Sequence, residues 1–372
     1  MSLPSVATQI VLKNHPVGFI NPEFNKLDST FAVKHASFPK ELKEGEVIVK
    51  TLYLSNDPTQ RSWIRSKLEK RRHYAKPVEE GSPMRSLGLG QIVQSNSSRF
   101  KPGDIVYGII LWGDFSVLED TSLYNSIDTS LGLPLEYYLS VLGMTSLTAF
   151  FGLTEAGDLK QYLNSPPGKG PIVCVSAASG ATGSVVVQIA KNLLGASKVI
   201  GISGSSEKCQ WVEKLGADIC VNYKDPNYQD QIEKFLGNEF IDTYFDNVGG
   251  DILSFVLTKV KKFGNVVACG SIAGYNNREA LKVLNWGEIT VNSLTVRGFI
   301  VTDYQEHFPK AIGILTDAVK AGKIRTDGAY HVENLHGHDL IHRLENIPKI
   351  WNKLFEDNKP NGKMITKVAL DI

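Results

Sequence analysis

The sequence of 372 residues has few of the features that mark secreted, membrane or nucleic-acid-binding proteins. It contains 4 cysteines, none in a paired C-x-x-C spacing, which argues against a disulfide framework and a thiolate metal site. No apolar run approaches the roughly 20 residues of a membrane-spanning helix. The 40 basic and 39 acidic side chains leave a formal charge of +1, which disfavours a nucleic-acid partner. The first residues lack a signal-peptide core, and we therefore expect a cytoplasmic protein.

The first part of the chain alternates short runs of β-branched residues with turn residues. Such runs cover residues 45–54, 88–93 and 101–111, and the last of them begins with the turn sequence KPGD. This pattern predicts short strands that form a small β-barrel or sandwich. The strand-like run over 363–370 is expected to return to this β-rich unit.

After residue 170 the pattern changes to strands that alternate with helices. The strand-like runs are 171–177, 198–203, 219–222, 241–247, 265–269 and 294–301. Short apolar strands separated by amphipathic helices predict a parallel sheet that is covered on both faces. We therefore predict an α/β protein: a doubly wound parallel sheet (Rossmann) domain over 142–327, and a β-barrel-like domain over 1–141 and 328–372.

A glycine-rich turn lies between the first of these strands and the helix that follows. The sequence ASGATG (178–183) fits the dinucleotide-binding pattern with alanine in place of the first glycine. Gly180 would allow a close approach of the backbone to a diphosphate, and Gly183 would allow close packing of helix on strand. Gly180, Ala181, Thr182 and Gly183 are therefore predicted to bind the cofactor.

The end of the second strand bears on the choice of cofactor. NAD sites usually carry an acidic residue there, but this chain reads SGSSEK over 203–208. Small side chains together with Lys208 leave room and positive charge for a 2′-phosphate, which favours NADPH over NADH. Alternatively, Lys208 is a solvated helix residue that pairs with Glu207 or Glu213.

A catalytic zinc is not expected. The cysteines all fall in the strand–helix half of the chain; they are Cys174, Cys209, Cys220 and Cys269. The stretch 84–93 contains neither His nor Glu. The histidines near the C-terminus are interpreted as surface residues without an accompanying thiolate or carboxylate constellation; they are His331, His336, His338 and His342.

Longer motifs run in a fixed order from about residue 50 to residue 300. They are LSNDP (54–58) with Arg61, GMTSLTAFFGL (143–153), AASGATGS (177–184), GSSEK (204–208), NYK (222–224), YFDNVGG (244–250), KKFG (261–264) and CGSIAGYN (269–276). On these residues the chain resembles the zinc-independent medium-chain dehydrogenase/reductases, in particular the NADP-dependent prostaglandin and leukotriene reductases and the plant alkenal double-bond reductases. The resemblance implies a GroES-like substrate domain beside the Rossmann NADPH-binding domain.

The resemblance also implies a largely complete NADPH site. Lys208 and Tyr223 match contacts to the 2′-phosphate, and Asn361, with Asn358 as the alternative, matches a contact near the C-terminus. The nicotinamide side is expected to be lined by Asn247, Cys269, Gly270, Ser271, Ile272, Ala273, Gly274, Tyr275, Phe299, Ile300 and Val301.

The implied activity is reduction of the carbon–carbon double bond of α,β-unsaturated carbonyl compounds, with NADPH as hydride donor. Tyr275 is the predicted catalytic residue, either as a hydroxyl donor to the substrate oxygen or by holding the nicotinamide ribose; alternatively it only packs against the cofactor. Two other functions remain open, an NADPH quinone reductase and a non-catalytic NADPH-binding redox sensor. Expected partners are small molecules and a second copy of the chain, paired through 294–301, but neither a membrane nor nucleic acid.

The sequence departs from the family at two places. The family pattern DPYMR is Asp57-Pro-Thr-Gln-Arg61 here, so the substrate of the prostaglandin reductases is not carried over. The segment 61–76 is strongly basic and is either a solvated segment or an electrostatic lip for an acidic ligand. Trp112 matches a substrate-contacting region, or it packs in the barrel.

Overall fold

The computed structural model describes residues 3–66 and 70–370. The chain divides into two compact units. The first contains residues 1–139, 331–360 and 364–372, and the second contains 140–330 and 361–363. These divisions lie a few residues from the boundaries expected from the sequence, which gave all of 328–372 to the β-rich domain. Residues 361–363 belong instead to the second unit, where the N–H of Gly362 donates to Ser179 of the glycine turn and that of Lys363 donates to Ala329.

The strands of the described chain range from four to eleven residues in length. In sequence order they are β1 (Val6–Leu12), β2 (Phe31–Ser37), β3 (Glu46–Ser55), β4 (Arg85–Ser95), β5 (Ile105–Leu111), β6 (Phe115–Glu119), β7 (Leu123–Ser126), β8 (Gly170–Ser176), β9 (Ala196–Ser203), β10 (Ile219–Asn222), β11 (Ile241–Asp246), β12 (Val260–Ala268), β13 (Thr295–Gly298), β14 (Tyr330–Asn334) and β15 (Lys363–Lys367).

The α-helices are α1 (Gln60–Trp63), α2 (Met144–Phe151), α3 (Ala181–Asn192), α4 (Ser206–Lys214), α5 (Tyr228–Leu236), α6 (Gly250–Leu257), α7 (Glu288–Val291), α8 (Phe308–Lys320), α9 (Leu340–Leu344) and α10 (Asn346–Asn352). A π-helix over Gly152–Ala156 extends α2, and short 3₁₀ segments include Ile272–Gly274. In the part of the chain that the structure describes, no helix combines the length and apolarity that a membrane span requires.

The first unit is built on antiparallel strands. Its main sheet has the order β14-β15-β3-β4-β5-β7, and β6 pairs with the first half of β3 on the edge opposite β4. β1 and β2 form a separate two-stranded antiparallel sheet. The expected return of the C-terminal strand is observed, since β15 pairs antiparallel with β3. An aromatic cluster fills the core: the ring of Trp112 lies 5.4 Å from that of Phe31 and 5.7 Å from that of Trp351.

The second unit contains a parallel sheet with the order β10-β9-β8-β11-β12-β13. Numbered along the chain, this order is 3-2-1-4-5-6, the strand order of the dinucleotide-binding fold. Each strand coincides with one of the predicted runs, and the predicted fold class is confirmed. The central strand β8 is buried along nearly its whole length, because a parallel sheet with helices packed on it has no solvent-facing side. The carboxyl ends of these strands position the candidate site.

Candidate active site

The glycine turn joins β8 to α3 at the middle of the parallel sheet. Ala177 adopts a left-handed conformation with φ 49°, and Gly180 is the N-cap residue of α3 without a side-chain cap. A Cβ at Gly183 would lie 2.3 Å from the oxygen of Ala177, so helix and turn pack at a distance that only glycine allows. At Gly180 a Cβ would meet only this same oxygen, at 3.2 Å. The helix therefore begins at an open, uncapped end that favours an anion.

A three-residue piece of the C-terminal region completes this turn. The N–H of Gly362 donates to the oxygen of Ser179 at 2.9 Å, and Gly362 bridges to Gly180. Oδ1 of the neighbouring Asn361 is buried and has no hydrogen-bond partner in the described structure. Asn358, the alternative from the sequence, is exposed and belongs to the first unit. Asn361 lies in the same unit as the turn and next to Gly362.

The end of β9 carries hydroxyl groups where NAD-binding sites usually carry an acid. The hydroxyl of Ser203 accepts a hydrogen bond from the N–H of Ser179 at 3.1 Å, which fixes β9 against the turn. Ser205 is the N-cap of α4 and accepts from the N–H of Lys208 at 3.3 Å. Lys208 is thereby placed in the first turn of the helix, next to the strand end.

Tyr223 lies on the other side of the same strand end. Its N–H donates to the oxygen of Ser203 at 2.9 Å, and a Cβ at Gly204 would be 3.2 Å from its ring. Tyr223 remains 43% exposed, so its ring is available beside the strand end. Glu207 accepts hydrogen bonds from its own N–H and from Ser205, which lower the pKa of its carboxyl, and the charge of Lys208 acts in the same direction. Lys208 and Tyr223 thus both lie at the end of β9, and Lys208 lies next to an exposed acid.

Asp246, at the end of β11, organises the opposite side of the site. Its Oδ1 accepts hydrogen bonds from the hydroxyls of Tyr244 (2.9 Å) and Ser176 (3.1 Å). The same oxygen accepts from the N–H groups of Val248 and Gly249, each at 3.0 Å. Burial raises the pKa of this carboxyl, although the backbone donors oppose the shift. No role of its own was predicted for Asp246 from the sequence; its signal was an acid at the end of a buried strand.

The predicted residues 247 and 269–275 are held together through Asp246 and Asn247. The N–H groups of Cys269 and Gly270 donate to the backbone oxygen of Asp246 at 2.9 and 3.0 Å. Asn247 donates from Nδ2 to the oxygen of Ser176 at 2.8 Å and accepts at its own backbone oxygen from Ile272. The short helix Ile272–Gly274, preceded by Ser271 and including Ala273, therefore lies against the end of β11.

Most residues of the run 269–275 are half-buried. Tyr275 is half-buried and follows directly on the short helix, with its N–H donating to the oxygen of Ile272 at 3.3 Å. Burial, aided by the charge of Asp246, raises the pKa of the Cys269 thiol to about 12. The shift favours the neutral thiol of Cys269 at physiological pH.

Phe299, Ile300 and Val301 follow the edge strand β13 and are all half-buried. The ring of Phe299 lies 6.5 Å from those of Phe245 and Tyr304. A Cβ at Gly152, where the π-helix begins, would be 2.4 Å from Phe245 and 2.9 Å from Phe299. The absence of a side chain at Gly152 is therefore what lets these aromatic rings pack here.

Trp112 is corrected from a substrate-contacting candidate to a core residue. Its side chain is 0% exposed, and its Nε1 donates to the hydroxyl of Ser86 at 2.6 Å. A fully buried ring with a satisfied N–H has no surface left for a ligand. The alternative that the sequence analysis kept open, packing in the barrel, describes this residue.

The region that departs from the family pattern is tightly hydrogen-bonded. Gln60 is buried: its Oε1 accepts from the N–H of Asp57 at 2.7 Å, and its Nε2 donates to Ser86 at 2.7 Å. Thr59 forms a hydrogen bond with the hydroxyl of Tyr74, which also accepts from Nε1 of Trp63 at 2.8 Å. Thr59 and Gln60, which stand where the family pattern has an aromatic residue and methionine, are thus held by hydrogen bonds.

Part of the basic segment 61–76 serves structure. Arg61 is 2% exposed and donates through Nη2 to the backbone oxygens of Pro16 (3.1 Å) and Gly18 (2.6 Å). Burial, with the charge of Arg65, lowers the pKa of Arg61 to about 10, so it remains a cation at neutral pH. Arg61 is therefore excluded from an electrostatic lip, and residues 67–69 lie outside the described chain.

The C-terminal histidines require a second correction. The structure does bring a carboxylate to two of them, since Nδ1 of His342 lies 2.8 Å from Oδ1 of Asp339 and Nε2 of His338 lies 3.3 Å from Oδ2. The spacing H-D-x-x-H at the start of a helix was the signal that the sequence analysis overlooked. All three residues are exposed and belong to the first unit.

Two family descriptions match this chain. "Zinc-binding dehydrogenase" matches residues 181–317, and "N-terminal domain of oxidoreductase" matches residues 8–126. Together they cover most of both units. The chain belongs to the medium-chain dehydrogenase/reductase family. The first description names zinc. The cysteines of this chain all lie in the second unit. Within the described residues, the one group of His, Cys or acidic side chains that could converge on a metal ion is the exposed trio His338, Asp339 and His342.

Similar proteins cover this family member almost from end to end. An uncharacterized membrane protein of Saccharomyces cerevisiae, YML131W, is 36% identical over 98% of both chains. The 2-alkenal reductase (NADP(+)-dependent) of Nicotiana tabacum is 34% identical over 97% of both chains. Among solved structures, CurA from Vibrio vulnificus in complex with NADPH superimposes with a TM-score of 0.81 and 29% identity, covering 98% of this chain and 99% of that one.

Proposed function

We propose that this protein is an NADPH-dependent reductase of the carbon–carbon double bond in α,β-unsaturated carbonyl compounds. The observation that carries the proposal is the second unit's dinucleotide turn, whose neighbouring strand β9 ends in Ser203 and Gly204 rather than in an acid, with Lys208 in the first turn of the helix that follows. The likeness over nearly the full length to a tobacco 2-alkenal reductase (NADP(+)-dependent) supports the choice of reaction. The substrates are small molecules.

The diphosphate of the cofactor is assigned to the N-terminus of α3. Three features support this: the helix is uncapped, the surface above Gly180 is open, and the helix dipole is positive at this end. Ala181, Thr182 and Gly183 provide the first N–H groups of the helix. Gly180 lets the diphosphate approach the backbone, because no side chain stands in between.

The 2′-phosphate of the adenosine is assigned to Lys208 and Tyr223. An ammonium group provides a charge-assisted contact to phosphate, whereas an acid at the end of β9 would repel it. The N-cap of Ser205 holds Lys208 in the first turn of α4, and the packing of Tyr223 over Gly204 keeps the phenol at the same strand end. These contacts support NADPH over NADH.

The nicotinamide side is assigned to Asn247, to residues 269–275, to Phe299, Ile300 and Val301, and to Asn361. The unpartnered buried Oδ1 of Asn361 supports this fit, because a buried acceptor requires a donor such as a cofactor hydroxyl or amide. When bound, the nicotinamide supplies the hydride that adds to the β-carbon of the substrate. The raised pKa of Cys269 favours its neutral thiol on this side.

Tyr275 is assigned the catalytic role. Its phenol donates a hydrogen bond either to the substrate oxygen, where negative charge develops, or to the ribose that orients the nicotinamide. Its backbone is fixed by the short helix Ile272–Gly274, which is itself bonded to the end of β11. The proton that the α-carbon requires comes from water, so the chain needs no dedicated acid.

The test is the loss of NADPH absorbance with a panel of alkenals, enones and benzoquinones. We expect consumption of NADPH with the alkenals and enones, and saturated carbonyl products by mass spectrometry. Activity confined to benzoquinones would replace the proposal by a quinone reductase. Tight binding of NADPH without consumption by any member of the panel would replace it by a non-catalytic sensor.

We also propose that the protein is a homodimer through β13. This strand is the edge of the parallel sheet, and its four residues are all exposed. Nearby apolar side chains are exposed as well, Trp286 by 59% and Val291 by 71%. An exposed edge of this kind pairs readily with a second copy. Light scattering that gives a monomer mass at micromolar concentration would contradict the dimer.

The free thiols of all 4 cysteines support a reducing, cytoplasmic location.

A further inference from the structure

We propose that His338, Asp339 and His342 form a surface site for a divalent late first-row transition metal such as Zn²⁺ or Ni²⁺. One ligand atom from each residue can be chosen so that all lie within 4.8 Å of one another. Two imidazoles and a carboxylate are the donor set that these metals prefer. The site belongs to the first unit and does not depend on the proposed reductase activity.

The distances suit coordination after small movements. Metal–nitrogen bonds of about 2.0–2.1 Å and a tetrahedral angle place neighbouring ligand atoms roughly 3.4 Å apart. Oδ2 of Asp339 lies 2.9 Å from Nδ1 of His342 and 3.3 Å from Nε2 of His338. The two imidazole rings face each other with centroids 3.8 Å apart and an interplanar angle of 40°. Opening the rings by rotation about their side-chain bonds makes room for an ion between the three donors.

The backbone holds the three residues in this arrangement. Asp339 is the N-cap of α9, and its Oδ1 accepts from the N–H of His342 at 2.9 Å. Oδ2 is left to face the ion, while the hydrogen bond to Oδ1 keeps the carboxylate oriented, as hydrogen bonds to ligating carboxylates do in metal sites generally. A Cβ at Gly337 would be 2.7 Å from the N–H nitrogen of Arg343, so glycine allows the preceding loop to fold back over the helix start.

The exposure of the trio favours a metal over a purely structural ion pair. The side chains are 74%, 49% and 51% exposed for His338, Asp339 and His342, and ion pairs at such positions contribute little stability. The same exposure gives an ion free access and leaves water as its fourth ligand. The metal would join the loop before α9 to the helix itself, so binding should stabilise the folded first unit.

The test uses the full chain without a polyhistidine tag, stripped with chelator and titrated with ZnCl₂ or NiCl₂ in a calorimeter. We expect one saturable site per chain, and a rise in the unfolding temperature with metal. His338→Gln and His342→Gln should each weaken binding at least tenfold. Asp339→Asn should weaken it too, although asparagine keeps the helix cap. The matched control is His331→Gln, an exposed histidine paired with Glu333 outside the trio, which should leave binding unchanged.

Two results would overturn the site. One is the absence of saturable binding by the natural protein, and the other is equal binding by the natural protein and both histidine variants, His338→Gln and His342→Gln. Unfolding temperatures in chelator should agree among all variants, which separates lost ligands from lost folding. NADPH consumption should be the same with metal and with chelator, because the trio has no part in the proposed reaction.

Discussion

Replacing Asp246 with alanine should destabilise the second unit strongly, whereas replacing it with asparagine should not. All four hydrogen bonds to this side chain reach Oδ1, and an asparagine carbonyl oxygen can occupy that position. Alanine leaves the buried donors without an acceptor. The hydroxyls of Ser176 and Tyr244 can rotate, but the N–H groups of Val248 and Gly249 cannot. At about 1–3 kcal/mol for each unsatisfied buried group, we expect a loss of about 3 kcal/mol.

This loss is measurable as a change in the unfolding temperature. For a unit of about 150–250 residues, 1 kcal/mol corresponds to about 2–4 °C, so Asp246→Ala should lower the transition by roughly 6–12 °C. Asp246→Asn should stay within about 1 kcal/mol, or about 4 °C. Differential scanning calorimetry of the three proteins resolves these values. Equal transitions for the natural protein and the alanine variant, or equal damage by both variants, would refute the role given to Oδ1.

The difference in stability between the natural protein and Asp246→Asn should depend on pH with a sign that the pKa shift of Asp246 determines. Burial raises the pKa of Asp246 above its ordinary value of 3.8, so the folded state binds the proton more tightly than the unfolded state. The natural protein should therefore be most stable relative to Asp246→Asn at low pH, and should lose this advantage as pH rises from 3.8 through the raised pKa. Transition temperatures of both proteins between about pH 3 and pH 8, taken as differences, cancel the other titrating groups. A difference that grows in favour of the natural protein with rising pH would contradict the shift.

Three further predictions concern the proposed reaction. Lys208→Ala should narrow the preference for NADPH over NADH by about 1.5–3 kcal/mol, because a charge-assisted phosphate contact is lost; equal affinity of the natural protein for both cofactors in fluorescence titrations would contradict the assignment. Exhaustive chelation should leave NADPH consumption unchanged, and zinc that is lost together with activity would reveal a missed catalytic metal. Tyr275→Phe should lower the single-turnover rate of hydride transfer by about 10²-fold, at the lower end of the loss of an oxyanion donor, with NADPH affinity unchanged. A single-turnover rate in Tyr275→Phe equal to that of the natural protein would mean that Tyr275 only packs against the cofactor.

The sequence was sufficient for the fold of the second unit, because its strands are short apolar runs bounded by glycine and polar turns. Each predicted run became a strand, and ASGATG lies between β8 and α3 as expected. This segment is local: strand, turn and helix are consecutive in the chain. Local order of this kind leaves a periodic signal in the sequence.

Features that depend on distant residues were missed. Asp246 meets Ser176 only because β11 pairs with β8, and the pairing of strands 70 residues apart leaves no periodic signal. Trp112 could not be assigned to core or ligand from its type, since an aromatic side chain suits both. His338 and His342 were within reach, because H-D-x-x-H is a short local pattern at a helix start, but the carboxylate between them was overlooked.

The return of Asn361 and Gly362 to the second unit limits how this protein can be divided. A contiguous fragment over 140–330 would contain the glycine turn but not the N–H that Gly362 donates to Ser179. The cofactor-binding unit therefore cannot be transferred to another protein as one contiguous segment, since residues 361–363 would have to be included. Gly362 also holds a left-handed conformation, φ 67°, with no room for a Cβ beside Ala329. Insertions or deletions shortly before residue 361 should thus disturb the glycine turn at residues 178–183, although the two segments are far apart in sequence.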